Sequence, residues 1–136
     1  MAAQPGWSKV VFRSGTDGSD LEAAVDLPAD SPWFGGHFPG RPVLPGVAWL
    51  VLAAQAARER ERCRGRTVAV VGFRFVRFKQ LVEGPARLAL RISASARGGA
   101  DELRFDGEAD GRDVCRGLVL VRAAGSAAAP EEREEA

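Results

Sequence analysis

The sequence holds a run from Pro42 to Ala57, PVLPGVAWLVLAAQAA, with no charged residue in it. Proline lacks a backbone donor and clashes with the preceding turn, so Pro42 and Pro45 bar regular helix before Gly46 and press the residues ahead of them into extended geometry. Pro45 suits the first helical turn, where its missing N–H costs nothing. The pattern predicts a helix from about Pro45 to about Arg62. Its first three turns, Val47 through Ala54, are apolar on every side, the mark of a helix buried all round. Its roughly 12 apolar residues fall short of the about 20 that cross a bilayer, so it reads as a core helix. The charged stretch Arg58 to Arg62 reads as the end that emerges into water.

Strands surround this rod in the sequence. Residues 7–13 (WSKVVFR) read as a first strand and residues 20–27 (DLEAAVDL) as its hairpin partner, with Leu21, Ala23, Val25 and Leu27 on one face. Pro28 and Pro32 end that strand, and residues 29–36 form a loop carrying Trp33 and Phe34. Gly65 is a C-cap for the helix. In the following stretch TVAVVGFRFVRFKQLVEG the apolar Val68, Val70, Phe73, Phe75 and Phe78 are interleaved with Arg74, Arg77 and Lys79, and the phase slips near Val76 as at a bulge. Residues 86–97 alternate with Leu88, Leu90 and Ile92 inward. Gly98 to Asp101 read as a turn, residues 102–109 and 112–122 as the last two strands, and Asp110-Gly111 as the hairpin joining them. Two strands, a helix and four strands make an α+β pattern with an antiparallel sheet.

With 136 residues the chain has room for one domain, read as residues 1–122. The remainder, 123–136, is small residues and then PEEREEA, which cannot bury apolar surface and is expected to be disordered. A net charge of +1 predicts no nucleic-acid partner. Cys63 and Cys115 lack metal-ligand spacing, so no metal is expected, and a disulfide between them stays open. The start MAAQPGWSKV has neither a charged beginning nor an apolar run, which gives a cytoplasmic expectation with no membrane partner.

The chemistry centres on His37, the single histidine, in the loop just upstream of the helix. A helix N-terminus presents unpaired N–H groups and a partial positive charge, and Gly46 brings no side chain to block approach to them. An imidazole beside such a terminus is a proton-transfer group beside an oxyanion site. A lone histidine in a turn is otherwise a structural hydrogen-bonder, and the residues alone leave both readings open.

The run HFPGRPVLPGV…AAQ resembles the signature of the FabZ/FabA-type beta-hydroxyacyl-acyl-carrier-protein dehydratases, close to HFPGxPxxPGVxxxEAxAQ. His37, Phe38, Pro39, Gly40, Arg41, Pro42, Pro45, Gly46, Val47, Ala54 and Gln55 match it without a gap. The resemblance implies the hotdog fold, an antiparallel sheet wrapped around one long hydrophobic helix. It implies a hydro-lyase that eliminates water from a 3-hydroxyacyl thioester to give a trans-2-enoyl thioester in fatty acid or polyketide-type biosynthesis, with no cofactor. His37 would be the base and the backbone N–H of Gly46 the oxyanion donor. Phe38, Pro39, Val47, Val51, Gln55, Trp33 and Phe34 would line the substrate site. Arg74, Arg77 and Lys79 would dock the acyl carrier protein, or else form an ordinary solvated strand face. The resemblance also implies a dimer or an oligomer of dimers.

One position departs from the pattern. The family places a carboxylate on the helix fourteen residues after the histidine, and here that residue is Val51. Dehydratase-like members of aryl polyene and related pathways are similar in having PVLPGV and no Glu there. The chain is then expected either to draw the acid from a Glu/Asp-bearing paralogue in a heterodimer or to run on one histidine. Two other classes stay open: a hotdog acyl thioesterase, and a non-catalytic carrier-binding subunit of a heteromeric dehydratase.

Overall fold

The computed structural model describes residues 7, 9–15, 20–34, 43–95 and 99–124. These residues form a six-stranded antiparallel sheet in the order β1-β2-β4-β5-β6-β3 around one helix, α1. The strands are β1 Val11–Ser14, β2 Leu21–Leu27, β3 Val68–Phe78, β4 Ala86–Ser95, β5 Gly99–Ala109 and β6 Arg112–Ala123, and α1 is Gly46–Cys63. This is the α+β antiparallel arrangement expected from the pattern of elements and the hotdog architecture that the resemblance implies. Of the expected tail, 123–136, Ala123 closes β6 and the Ala124 N–H donates to the Thr67 carbonyl at 2.8 Å, so the sheet reaches past the expected boundary, and the rest, from Gly125 onward, lies outside the described residues.

Alternation decides which faces meet the helix. Leu21, Ala23, Val25 and Leu27 of β2 are buried, as are Leu88, Leu90 and Ile92 of β4. Both strands present the same face because Leu21 pairs with Ile92, Ala23 with Leu90 and Val25 with Leu88. On β5 and β6 the inward set is Leu103, Phe105, Ala109, Val119 and Val121. Trp49 of α1 lies on the backbone of Gly107, where a Cβ would come within 2.7 Å of its ring, so only glycine lets helix and sheet close at that point. The β5–β6 hairpin turns through Asp110 (φ 50°) and Gly111 (φ 81°), the two positive angles of a type I′ turn.

The structure corrects four expectations. The first strand is shorter than residues 7–13, because only Val11–Ser14 pair with β2. β5 begins at Gly99, inside the expected turn, because Ser95 pairs with Gly99 after a register shift. The helix is not buried all round: Val47 is 43% exposed, and Leu50, Val51, Ala54 and Gln55 are half-buried along the same side. Nor does its charged end simply emerge into water. Arg60 is buried and Glu61 is 1% exposed, and Glu61 is held between Arg60 and Arg66, with Arg66 Nη1 at 2.7 Å. Arg60 Nε also donates to Asp20 at 2.8 Å, and Asp20 in turn accepts from the Ala94 N–H, so the network ties the helix end to the start of β2 and the end of β4. Paired charges are what make such burial tolerable.

Candidate active site

Two strands of backbone position the start of the helix. The N–H of Leu44 donates to the carbonyl of Val82 at 2.9 Å, and Val43 forms a bridge with Glu83. The chain entering α1 is thus strapped to the segment leaving β3. Pro45 stands at the N-cap with extended backbone (φ −69°, ψ 150°), which a proline adopts without strain. Among the described residues no side chain caps this end, and no acid lies in its first turn. The Ala48 N–H turns back onto the Pro45 carbonyl at 3.0 Å, so the N–H groups of Gly46 and Val47 lie ahead of the first bond of the helix.

Gly46 is not open on every side. The ring of Phe78, at the end of β3, packs against it, and a Cβ on Gly46 would lie 3.0 Å from the ring edge. This corrects the expectation of unblocked approach at Gly46. It also identifies Phe78, which the sequence reading did not place at the site, as an aromatic wall beside the helix start. The half-buried side of α1 runs on from here through Val47, Val51 and Gln55, spaced four residues apart and therefore stacked on one face.

The same four-residue spacing continues to Glu59, two turns beyond Val51. The nearest acid of the helix, Glu59, accepts from Arg62 at 2.6 and 3.0 Å, and this bonding holds its carboxyl below the usual range. Glu61 is enclosed by its two arginines. Gln55 has a different feature. Its Oε1 is buried and has no hydrogen-bond partner among the described residues. A buried acceptor left unpaired costs about 1–3 kcal/mol, which marks a place where a further polar group belongs.

Trp33 and Phe34 sit in a short 3-10 turn, Pro32–Phe34, and both are buried in the core. The Trp33 ring lies 5.2 Å from that of Trp7, and the indole N–H of each is buried without a partner among the described residues. His37, Phe38 and Pro39 lie outside the described residues, in the segment joining Phe34 to Val43. Its two ends are both buried.

Arg74 and Arg77 of β3 and Lys79 just past its end part company. Arg74 lies 3.9 Å from Glu102 and over the ring of Phe75, and Lys79 lies 3.5 Å from Asp113. Arg77 has no ion-pair partner among the described residues and faces Arg116 across the β3–β6 ladder. Cys63 is exposed and Cys115 buried, and both are free thiols. Among the described residues no three His, Cys, Asp or Glu side chains gather as metal ligands, and no helix is long and apolar enough to cross a membrane.

Comparison with known proteins agrees with this frame. The family described as ApeI-like, ApeI dehydratase, matches residues 13–118. The 3-hydroxyacyl-[acyl-carrier-protein] dehydratase FabZ of Caldicellulosiruptor saccharolyticus is 31% identical over 109 residues, covering 76% of this chain and 78% of that protein. Its counterpart in Nitrosomonas europaea is 30% identical over 114 residues, covering 78% and 74%. Among solved structures, the dehydratase heterocomplex ApeI:P from Xenorhabdus doucetiae aligns with a TM-score of 0.67 at 20% identity, over 88% of this chain and 98% of that one. A hypothetical thioesterase from Streptococcus pneumoniae aligns with a TM-score of 0.69 at 13% identity, over 93% and 99%. At such identities the structural likeness speaks for the fold alone, and a dehydratase and a thioesterase share it. The family model and the FabZ relatives decide between them: the chain belongs to the ApeI-like dehydratase family.

Proposed function

We propose that this chain is a 3-hydroxyacyl-[acyl-carrier-protein] dehydratase in which His37 moves the proton. The reading rests on one observation above the others: the HFPGRPVLPG run ends at a helix start that has no side-chain cap among the described residues, beside Phe78 and a half-buried apolar face. The imidazole of His37 takes a proton from the carbon next to the thioester. Charge then develops on the thioester oxygen, where the N–H groups of Gly46 and Val47 and the positive end of the helix stabilise it. The carbon–oxygen bond at C3 breaks, and the departing hydroxide takes up a proton to leave as water.

The source of that last proton separates two versions. In one, the imidazolium of His37 returns the proton it took, so a single residue serves as base and then as acid. In the other, a Glu/Asp-bearing paralogue supplies it across a heterodimer interface. Two features favour an assembly. β3 is an edge strand of the described sheet and exposes Val71, Phe75 and Phe78, and the adjacent helix face exposes Val47. Bare apolar strand edges invite pairing with another chain. The Oε1 of Gln55, one turn beyond Val51 and without a partner among the described residues, would accept a hydrogen bond from the substrate hydroxyl or from the partner's carboxylic acid. Thioester hydrolysis is the weaker reading, because activation of water asks for a carboxylate, and the one on this helix face, Glu59, lies two turns beyond Val51 and is bonded to Arg62.

The test is incubation of the purified chain with 3-hydroxyacyl carrier protein, alone and with candidate partner chains, following the enoyl product. Product with the chain alone supports the single-histidine route. Product only with a Glu/Asp-bearing partner supports the shared site. Release of free acid instead of enoyl thioester would transfer the protein to the thioesterases.

A further inference from the structure

One end of the molecule gathers arginines. Helix α1 closes through a compact turn, in which the Arg64 N–H donates to the Glu61 carbonyl and the Gly65 N–H to the Arg62 carbonyl, both at 3.0 Å, and β3 starts soon after at Val68. β6 finishes beside that start: Ala123 pairs with Val68, Arg122 pairs with Ala69, and the Ala124 N–H donates to the Thr67 carbonyl at 2.8 Å. Arg62, Arg64 and Arg122 are all exposed. Arg62 shares an exposed pair with Glu59, whereas Arg64 and Arg122 have no ion-pair partner among the described residues. A helix C-terminus favours nearby cations, which accounts for Arg62 and Arg64 but not for Arg122 on the sheet.

The charge of the chain divides at the same point. Up to Ala124 the sequence has 18 basic and 14 acidic residues, a net +4. Beyond it lie Glu131, Glu132, Glu134 and Glu135 with a single Arg133, a net −3. The near-neutral whole is a basic body followed by an acidic segment, and that segment leaves the sheet beside the arginines.

We propose that the segment Glu131–Glu135 docks on Arg62, Arg64 and Arg122 of its own chain, as a tethered counter-ion for this end of the molecule. Charge and reach together select the occupant. Arg122 is two residues from Ala124, so their Cα atoms lie within about 7 Å. Arg64 is three residues from Thr67, at most about 11 Å, and Thr67 lies across the β3–β6 ladder from Ala124, about 5 Å away. Glu131 is seven residues beyond Ala124, a span of at most about 25 Å, which covers all three arginines. Arg77, ten residues along β3 from Thr67, is about 33 Å off and beyond the reach of Glu131 and Glu132. An exposed ion pair by itself contributes at most about 1 kcal/mol, but a short tether raises the local concentration of the carboxylates and lets several pairs form together. Cys63, exposed between Arg62 and Arg64, is then covered by negative charge.

Cys63 also supplies the probe, because Cys115 is buried. The full chain, isotope-labelled and carrying a nitroxide on Cys63, is read by paramagnetic broadening of the amide signals of residues 131–135. Spectra are compared at about 0.01 M and about 1 M salt, where the Debye length is about 30 and about 3 Å. Docking predicts that the broadening falls at least twofold at high salt, and falls as far at low salt in Arg64→Glu/Arg122→Glu. The salt comparison needs no substitution, so it decides the matter even where that variant fails to fold. In the unlabelled chain, the rate of Cys63 alkylation by anionic iodoacetate relative to neutral iodoacetamide is expected to rise at least threefold in Glu131→Gln/Glu132→Gln/Glu134→Gln/Glu135→Gln, and adding Arg64→Glu/Arg122→Glu is expected to remove the rise. Broadening that is equal at both salts is what a bare tether gives, and it overturns the proposal. So does broadening that passes between molecules when nitroxide and isotope label sit on different chains, which would place the acidic segment on a second copy.

Discussion

Phe78 rests on Gly46: the ring edge lies where a Cβ would be 3.0 Å away. The contact joins the last residue of β3 to the first of α1, and so fixes the wall beside the Gly46 and Val47 N–H groups of the helix start. Gly46→Ala therefore pushes the half-exposed ring aside by a few tenths of an ångström rather than breaking the core. The variant is expected to fold, with Tm within about 4 °C of wild type, a change on the order of 1 kcal/mol. Its kcat is expected to fall at least tenfold, because the ring and the amides can no longer keep their spacing. Phe78→Ala in the same background relieves the clash, and thermal melting with steady-state kinetics reads both effects.

Glu61 is the centre of a buried charge network, between Arg60 and Arg66. Glu61→Ala leaves two guanidinium groups near the core without their carboxylate. Removing one partner of a buried pair costs about 3–5 kcal/mol, which for a chain of this size lowers Tm by roughly 10–20 °C. Arg62→Ala, on the exposed pair with Glu59, is expected to cost less than about 1 kcal/mol. Differential scanning calorimetry of the two variants checks the contrast.

The two thiols differ in environment. Burial pushes the Cys115 thiol up to about 12, whereas Cys63 is exposed at the end of the helix. In the folded protein an alkylating reagent near pH 8 is expected to label one thiol per chain quickly and the second only on unfolding. The sign for stability follows from the raised value. The contribution of Cys115 is fully present below its ordinary pKa of 9.0 and is lost as pH rises from there toward about 12, because the unfolded thiol ionises first. Denaturant melts across that range read the loss, and Cys115→Ala is expected to flatten it.

Much of this architecture was legible from local chemistry. Pro45 announced the helix start, which the structure puts one residue later at Gly46, and Asp110-Gly111 announced the hairpin with its two positive φ angles. The strict alternation of β2 and β4 gave the buried face directly. The slip near Val76 appears as the register shift between Arg74 and Arg77. What escaped depended on partners distant in sequence. An all-apolar helix cannot reveal which side its own sheet leaves bare, and charges such as Arg60 and Glu61 read as wet until Asp20 and Arg66 come to meet them. Arg104 and Arg116 looked like ordinary strand charges, because only the register brings them beside Arg77. Phe78 read as one aromatic among several until the Leu44–Val82 hydrogen bond set it against the helix start.

Val51 stands where the resembling family carries its acid, so it divides the two versions of the chemistry. If a single histidine suffices, Val51→Glu adds a second acid on the same helix face and is expected to change the rate by less than tenfold. If the acid normally comes from a paralogue, Val51→Glu is expected to confer activity on the chain alone, up to about 10²–10⁴ above its background. Single-turnover measurement with and without the partner chain distinguishes them.

The most direct test of the central claim is the rate of enoyl thioester formation from 3-hydroxyacyl carrier protein by wild type and by His37→Ala, each with and without a Glu/Asp-bearing paralogue. The account predicts product with wild type in at least one of these settings and a loss of about 10²-fold or more with His37→Ala in the same setting. Equal rates for the two proteins, or no product from wild type in any setting, would contradict it.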